Sequence, residues 1–317
     1  MRTWKSILRK AAATLGLLSL GSPALADPQA LPAAVPTQLK PAAPVAPVPA
    51  VAARPALWAV KDADTTIYLF GTIHALKPGI AWFDGPVAKA FDGSQELVTE
   101  VADVGSLDAA QTLMSRALLP EGESLRAKLS DADRAAYDAA LAKASIPAAA
   151  IDKFKPWYAA VALSSLPLMR AGYAIDQGVE IQLAAKAKAQ QKQQGALETV
   201  AYQLGLFDSL PEASQLSYLR QVVANLDNVT TQIESLIGEW SKGDADKLAQ
   251  EMNADTSDPV LVKALLTQRN HAWADWIGKR MEQPGTVFLA VGAGHLAGPD
   301  SVQTALAAKG IAAQRLQ

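Results

Sequence analysis

Two stretches of this chain share one local design: an apolar, β-rich run that ends in Gly-x-x-His, with a proline four residues past the histidine. The first is Ile67-Tyr68-Leu69-Phe70-Gly71-Thr72-Ile73-His74, with Pro78 beyond it. The second is Val287-Phe288-Leu289-Ala290-Val291-Gly292-Ala293-Gly294-His295, with Pro299. This design restricts the fold. The run reads as a buried strand, the glycine allows a sharp turn, and the histidine then projects at the carboxyl end of the sheet, where open α/β sheets bind ligands. Imidazole ligates metals and moves protons near neutral pH. The chain has only three histidines, and two of them sit in this matched setting. The repeat therefore predicts a site made by bringing two strand ends together.

The segments between the two motifs predict layers of strand and helix. Leu57 to Val60 and Thr65 to Phe70 read as strands joined by the turn Lys61-Asp62-Ala63-Asp64, and Leu97 to Val101 as a third strand. Val87 to Phe91 suggests a short helix. Ser130 with Asp133 resembles an N-terminal cap for a helix through Arg134 to Ala144. Pro156 fits the first turn of an apolar helix that Pro167 and Arg170 interrupt, which reads as a core helix rather than a membrane span. Further helices are expected over Gly178 to Gln194, Ser214 to Trp240, Asp258 to Met281 and Ser301 to Lys309. Strands are expected at Gly195 to Val200, Val287 to Val291 and Ile311 to Leu316. The result is an α/β fold, a central mixed sheet with helices packed around it and a helix-rich middle.

Composition narrows the function. A formal charge of −2 over 317 residues, with no basic stripe beyond the N-terminus, gives no footprint for nucleic acid. The absence of cysteine excludes thiolate ligands, disulfides, a lipidated cysteine and a cysteine nucleophile. Arg2, Lys5, Arg9 and Lys10 precede the short apolar run Ala11 to Leu20, and Ala24-Leu25-Ala26 offers a cleavage site. Residues 1–26 are thus expected to be an export signal, and the mature chain a soluble protein of a bacterial periplasm. An uncleaved anchor is the alternative. Residues 27–56, rich in Pro, Ala and Val, read as a semi-rigid linker or as filler, and residues 57–317 as the folded domain.

Glu100 lies in an apolar strand, where an ionised carboxylate is costly unless paired or metal-bound; a strand-end glutamate facing water is the competing reading. With His74 and His295 it would suit a divalent ion with open positions. Glu96 is a weaker choice on the same face. Arg269 shares a helical face with Val262, Leu266, Trp273 and Trp276, and Asn270 lies beside it. A guanidinium there must snorkel or meet an anion, and it could orient a carboxylate or stabilise an oxyanion with Asn270 as helper. His271 reads as a surface residue. Asp176 is explained by N-capping, and Glu198 by a supporting contact or by solvent. No phosphate loop, Gly-x-Ser-x-Gly elbow or His-Glu-x-x-His helix is present.

These residues resemble the TraB/GumN family, which is related to the Tiki-type proteases and more distantly to erythromycin-esterase and ChaN-like proteins. The resemblance rests on Tyr68 to His74, Val98-Thr99-Glu100, Ile175-Asp176, Leu197-Glu198-Thr199, Arg269-Asn270 and Val291 to Leu296. It implies two related halves, each offering a Gly-x-x-His. It also implies a divalent-metal-dependent hydrolase with His74, His295 and Glu100 at its core and Arg269 and Asn270 as polar support.

The leading expectation is therefore an exported metallopeptidase holding Mn, Co or Zn on His74, His295 and Glu100 and acting on a peptide or protein. Glu100 would be a ligand or a general base, and Arg269 would stabilise charge on the substrate. A peptide-binding protein without catalysis, and a haem- or iron-binding protein, are the alternatives. Oligomeric state is left open.

Overall fold

The computed structural model describes residues 51–102, 106–253 and 259–317. The expected export signal and most of the Pro/Ala-rich stretch lie outside the described residues. The strands are β1 (Val51–Ala52), β2 (Leu57–Lys61), β3 (Thr65–Thr72), β4 (Ile80–Ala81), β5 (Glu96–Val101), β6 (Gln193–Glu198), β7 (Gly285–Gly292) and β8 (Gln314–Arg315). β1 and β4 form a small parallel pair, and the other six form one sheet in the order β6-β5-β7-β3-β2-β8.

Within that sheet β3, β7, β5 and β6 run parallel, while β2 is antiparallel to both β3 and β8. The β2–β3 turn forms as the sequence predicts, with Asp62 Oδ1 accepting from the Asp64 and Thr65 amides. Parallel strands are covered on both faces and so read as continuous apolar runs. In β7 the period of two is explicit: Phe288 and Ala290 join the core on one side of the sheet, and Val287, Leu289 and Val291 the core on the other.

Between β5 and β7 the described chain is helical except for β6, and its helices enclose a core of their own around Trp157, Phe207, Tyr218 and Leu219. Ser130 caps the Asp131–Lys143 helix through the Asp133 amide, as expected. Other expectations change. The helix begun by Pro156 runs on to Arg170 through Pro167, which sits in its last turn and gives up the N–H that would otherwise bond the Leu163 carbonyl. The stretch Ser214 to Trp240 is two helices, Glu212–Asn225 and Val229–Lys242, separated by a 3₁₀ turn at Leu226–Asn228. The helix expected over Gly178 to Gln194 stops at Ala189, and the next strand starts early, at Gln193. That strand ends at Glu198 because Thr199 caps a further helix, its side chain accepting from the Tyr202 amide.

The segment before Arg269 contains a π turn, Lys263–Thr267, leading into the Gln268–Arg280 helix. Such turns displace the backbone register and often mark functional sites. Among the described residues no helix is long and apolar enough to cross a membrane.

Candidate active site

Four neighbouring parallel strands carry the candidate site residues at their carboxyl ends. In sheet order β3 leads to His74, β7 to His295, β5 ends beside Glu100 and β6 ends on Glu198. β3 and β7 pair directly, with Gly71 opposite Val291 and Thr72 opposite Gly292, so the two Gly-x-x-His turns are offset by one residue. They touch: a Cβ on Gly71 would stand 3.0 Å from the Ala293 Cα. The glycine of the first motif is therefore required by the approach of the second.

Arg269 is the hub. It is wholly buried, and all five of its N–H donors are engaged. Nε donates to both oxygens of Glu198, at 2.9 and 3.1 Å. Nη2 donates to Glu100 Oε2 at 2.5 Å and to Glu198 Oε2 at 2.8 Å. Nη1 donates to the Leu265 carbonyl, within the π turn, and to His295 Nε2, both at 3.1 Å. Trp273 packs its ring against both Arg269 and His295 and donates Nε1–H to Glu198 at 2.9 Å. Neither snorkelling nor an external anion explains Arg269, because the anions it meets are Glu100 and Glu198. With every donor taken, it organises the site and has none left for a substrate oxyanion.

His295 is fixed in one tautomer. Asn270 donates its amide to the Asp300 carbonyl at 2.6 Å, so its Oδ1 faces the ring and accepts from Nδ1–H at 2.6 Å. Nε2 then carries the lone pair that receives the Arg269 N–H. Burial, followed by the adjacent guanidinium, pulls the His295 pKa down to about 3 and keeps the ring neutral.

Glu100 is held on both oxygens, by the Gly292 amide at 2.6 Å on Oε1 and by Arg269 and Gln203 on Oε2. Burial pushes its pKa up, but the adjacent Arg269 guanidinium foremost, together with the Gly292 N–H, outweighs that and brings it down to about 2. His74 Nδ1 lies 2.5 Å from Glu180 Oε1.

His74, Glu100, Arg269, Asn270 and His295 accordingly converge on one sheet edge. Glu198, read from sequence as a minor contact, is a full member through Arg269, Trp273 and Gln203. Asp176 is exposed on the 3₁₀ turn Ile175–Gln177 and caps nothing; Gly178 occupies the cap position. Glu96 pairs with Arg280 at 3.4 Å, and His271 is exposed. Sequence reasoning missed Glu180 and Gln203. A glutamate in the first turn of a helix is the ordinary partner of the helix dipole, and a glutamine inside a helix gives no signal.

Imidazole and carboxylate are donor types that divalent cations accept. Two imidazoles share the edge with Glu100, Glu180 and Glu198, and against Arg269 those three carboxylates leave a formal excess of two negative charges. As arranged, no group of three His, Asp or Glu side chains among the described residues is gathered as a metal cage. His295 becomes a ligand only if Arg269 releases Nε2.

The fold and site define a class: a mixed α/β sheet carrying paired Gly-x-x-His turns over a buried glutamate–arginine network. The TraB/PrgY/gumN family model matches residues 56–315, and the chain belongs to that family. An uncharacterised protein of Treponema pallidum (strain Nichols) is 22% identical over 260 residues, covering 77% of this chain and 78% of its own. The uncharacterised protein YbaP of Escherichia coli K12 is 25% identical over 236 residues, covering 73% and 84%. No solved structure matches the chain.

Proposed function

We propose that this chain is an exported, divalent-metal-dependent hydrolase acting on peptide bonds in peptides or secreted proteins of the periplasm. The observation that supports it most is the pairing of β3 with β7, which sets both Gly-x-x-His turns side by side next to buried, ionised Glu100. His74 and Glu100 would hold the ion, with His295 joining through Nε2. An ion of the Mn, Co or Zn class lowers the pKa of a bound water and makes hydroxide available near neutral pH.

The chain's own residues divide the remaining work. Glu100, with a pKa of about 2, is a poor proton acceptor at neutral pH, which favours a ligand role over a general-base role. Arg269 and Gln203 orient that carboxylate, and Asn270 fixes the His295 ring. The deep burial of this network keeps water from loosening it.

A peptide-library cleavage assay with added Mn, Co or Zn tests the proposal. Cleavage is expected only with metal, and it should be lost in His74→Ala and in Glu100→Gln. Peptide retained without cleavage, in protein that takes up no metal, would replace the hydrolase with a binding protein.

A further inference from the structure

Outside the Arg269 network, one carboxylate at this sheet edge stands against a site histidine with acceptor capacity to spare. Glu180 is the second residue of the Val179–Ala189 helix, and its Oε1 contacts His74 Nδ1 at 2.5 Å. Its Oε2 is buried and has no hydrogen-bond partner among the described residues. Glu100 and Glu198, by contrast, each accept hydrogen bonds on both oxygens.

The placement of Glu180 is built into the fold. The Val179 amide donates to the Ile73 carbonyl at 3.0 Å, tying the helix to the residue before His74. Gly178 lies so close to the His74 carbonyl that any Cβ there would overlap it. The helix start and the first Gly-x-x-His turn are thus one locked unit. Its side chains are also the more open part of the edge: His74 is 10% and Glu180 18% exposed, while Arg269 is fully buried.

An ionised carboxylate only accepts, so the nitrogen facing it must carry the proton. We infer that Glu180 is a positioning residue that holds the neutral His74 ring in the Nδ1–H tautomer, with the ring's lone pair on Nε2. This is the arrangement in which a carboxylate orients a metal-binding imidazole and raises its basicity. The two histidines would then be set by different partners, His295 by neutral Asn270 in the core and His74 by anionic Glu180 at the more open rim. The tautomer inference stands on geometry alone; its consequence for metal affinity rests on the metal-centre reading above.

Ring ¹⁵N NMR of the metal-free chain, assigned with a His74→Gln variant, reads the tautomer directly. With the ring neutral, wild type should show Nδ1 protonated and Nε2 carrying the lone pair. In Glu180→Gln, whose amide can present either N–H or oxygen, the Nε2–H form should appear, and Mn(II), Co(II) or Zn(II) affinity should fall roughly 10–100-fold. A merely structural ion pair would move melting temperature without moving the ring shifts. An Nε2–H ring in wild type overturns the inference whether or not the variant folds. So does a Glu180→Gln protein with unchanged ring shifts and unchanged affinity. If wild type binds none of the three ions, the metal-centre reading fails, while the NMR result still decides the role of Glu180.

Discussion

A guanidinium with no solvent exposure survives in a core only where every donor is satisfied and its charge is met. Arg269 meets both conditions, through Glu100, Glu198, His295 and the Leu265 carbonyl. Removing one partner of such a pair strands the others. Arg269→Met should therefore destabilise the fold by about 3–5 kcal/mol in urea denaturation. Arg269→Lys should recover only part of this, because an ammonium lacks the planar fork that spans two carboxylates. The same network makes stability depend on pH. His295 falls from 6.5 to about 3 on folding, so between those values the unfolded chain binds a proton that the native ring refuses. Stability from this group is complete above pH 6.5 and declines as pH falls, by roughly 1.4 kcal/mol per pH unit. Glu100, lowered from 4.5 to about 2, adds stability that is present above 4.5 and is lost as pH falls towards 2. Denaturation curves at pH 7, 6 and 5 should show the first decline, and His295→Gln should flatten it. Arg269 and Glu100 were legible as candidates because a charge in an apolar pattern needs a partner. That they are each other's partners was not, since 169 residues separate them.

At the scale of elements, what the sequence carried was local. Gly-x-x-His after an apolar run specified strand, turn and projecting imidazole at both β3 and β7, and Ser130 specified its helix start. What it hid was set by tertiary contact. Thr199 turns the chain from β6 into helix, Leu226–Asn228 divides one periodic apolar stretch into two helices, and the π turn offers Leu265 to Arg269. Glu180 carried no signal because its position satisfies helix electrostatics before it satisfies His74. The glycines make the element-level contacts testable. Gly71→Ala puts its Cβ 3.0 Å from backbone, which neighbouring atoms cannot avoid by rotating a side chain, so a loss of about 1–3 kcal/mol is expected. Gly178→Ala meets the His74 carbonyl more closely and should cost more. Gly238, with open space around its Cβ position, serves as the control: Gly238→Ala in the Val229–Lys242 helix should be neutral or gain about 1 kcal/mol. Thermal melts of the three variants rank these effects.

Across the whole molecule, a chain with a net charge of only −2 concentrates a formal excess of two negative charges at one sheet edge. Parallel strands β3, β7, β5 and β6 place that excess where covering helices exclude most of the solvent that would screen it. Such a site is stabilised by a cation that binds the native fold and not the unfolded chain. By mass action an ion at a hundred times its dissociation constant adds about 2.7 kcal/mol. For a domain of this size that corresponds to a rise in melting temperature of roughly 5–10 °C. Wild type titrated with Mn, Co or Zn should show that rise, chelator should reverse it, and His74→Ala should lose it. Magnesium, which dehydrates reluctantly and favours oxygen donors, should give little of it. An equal rise with magnesium and with manganese, unaffected by His74→Ala, would mean that the charge excess attracts cations without the histidines, and it would separate the electrostatics of this edge from its proposed chemistry.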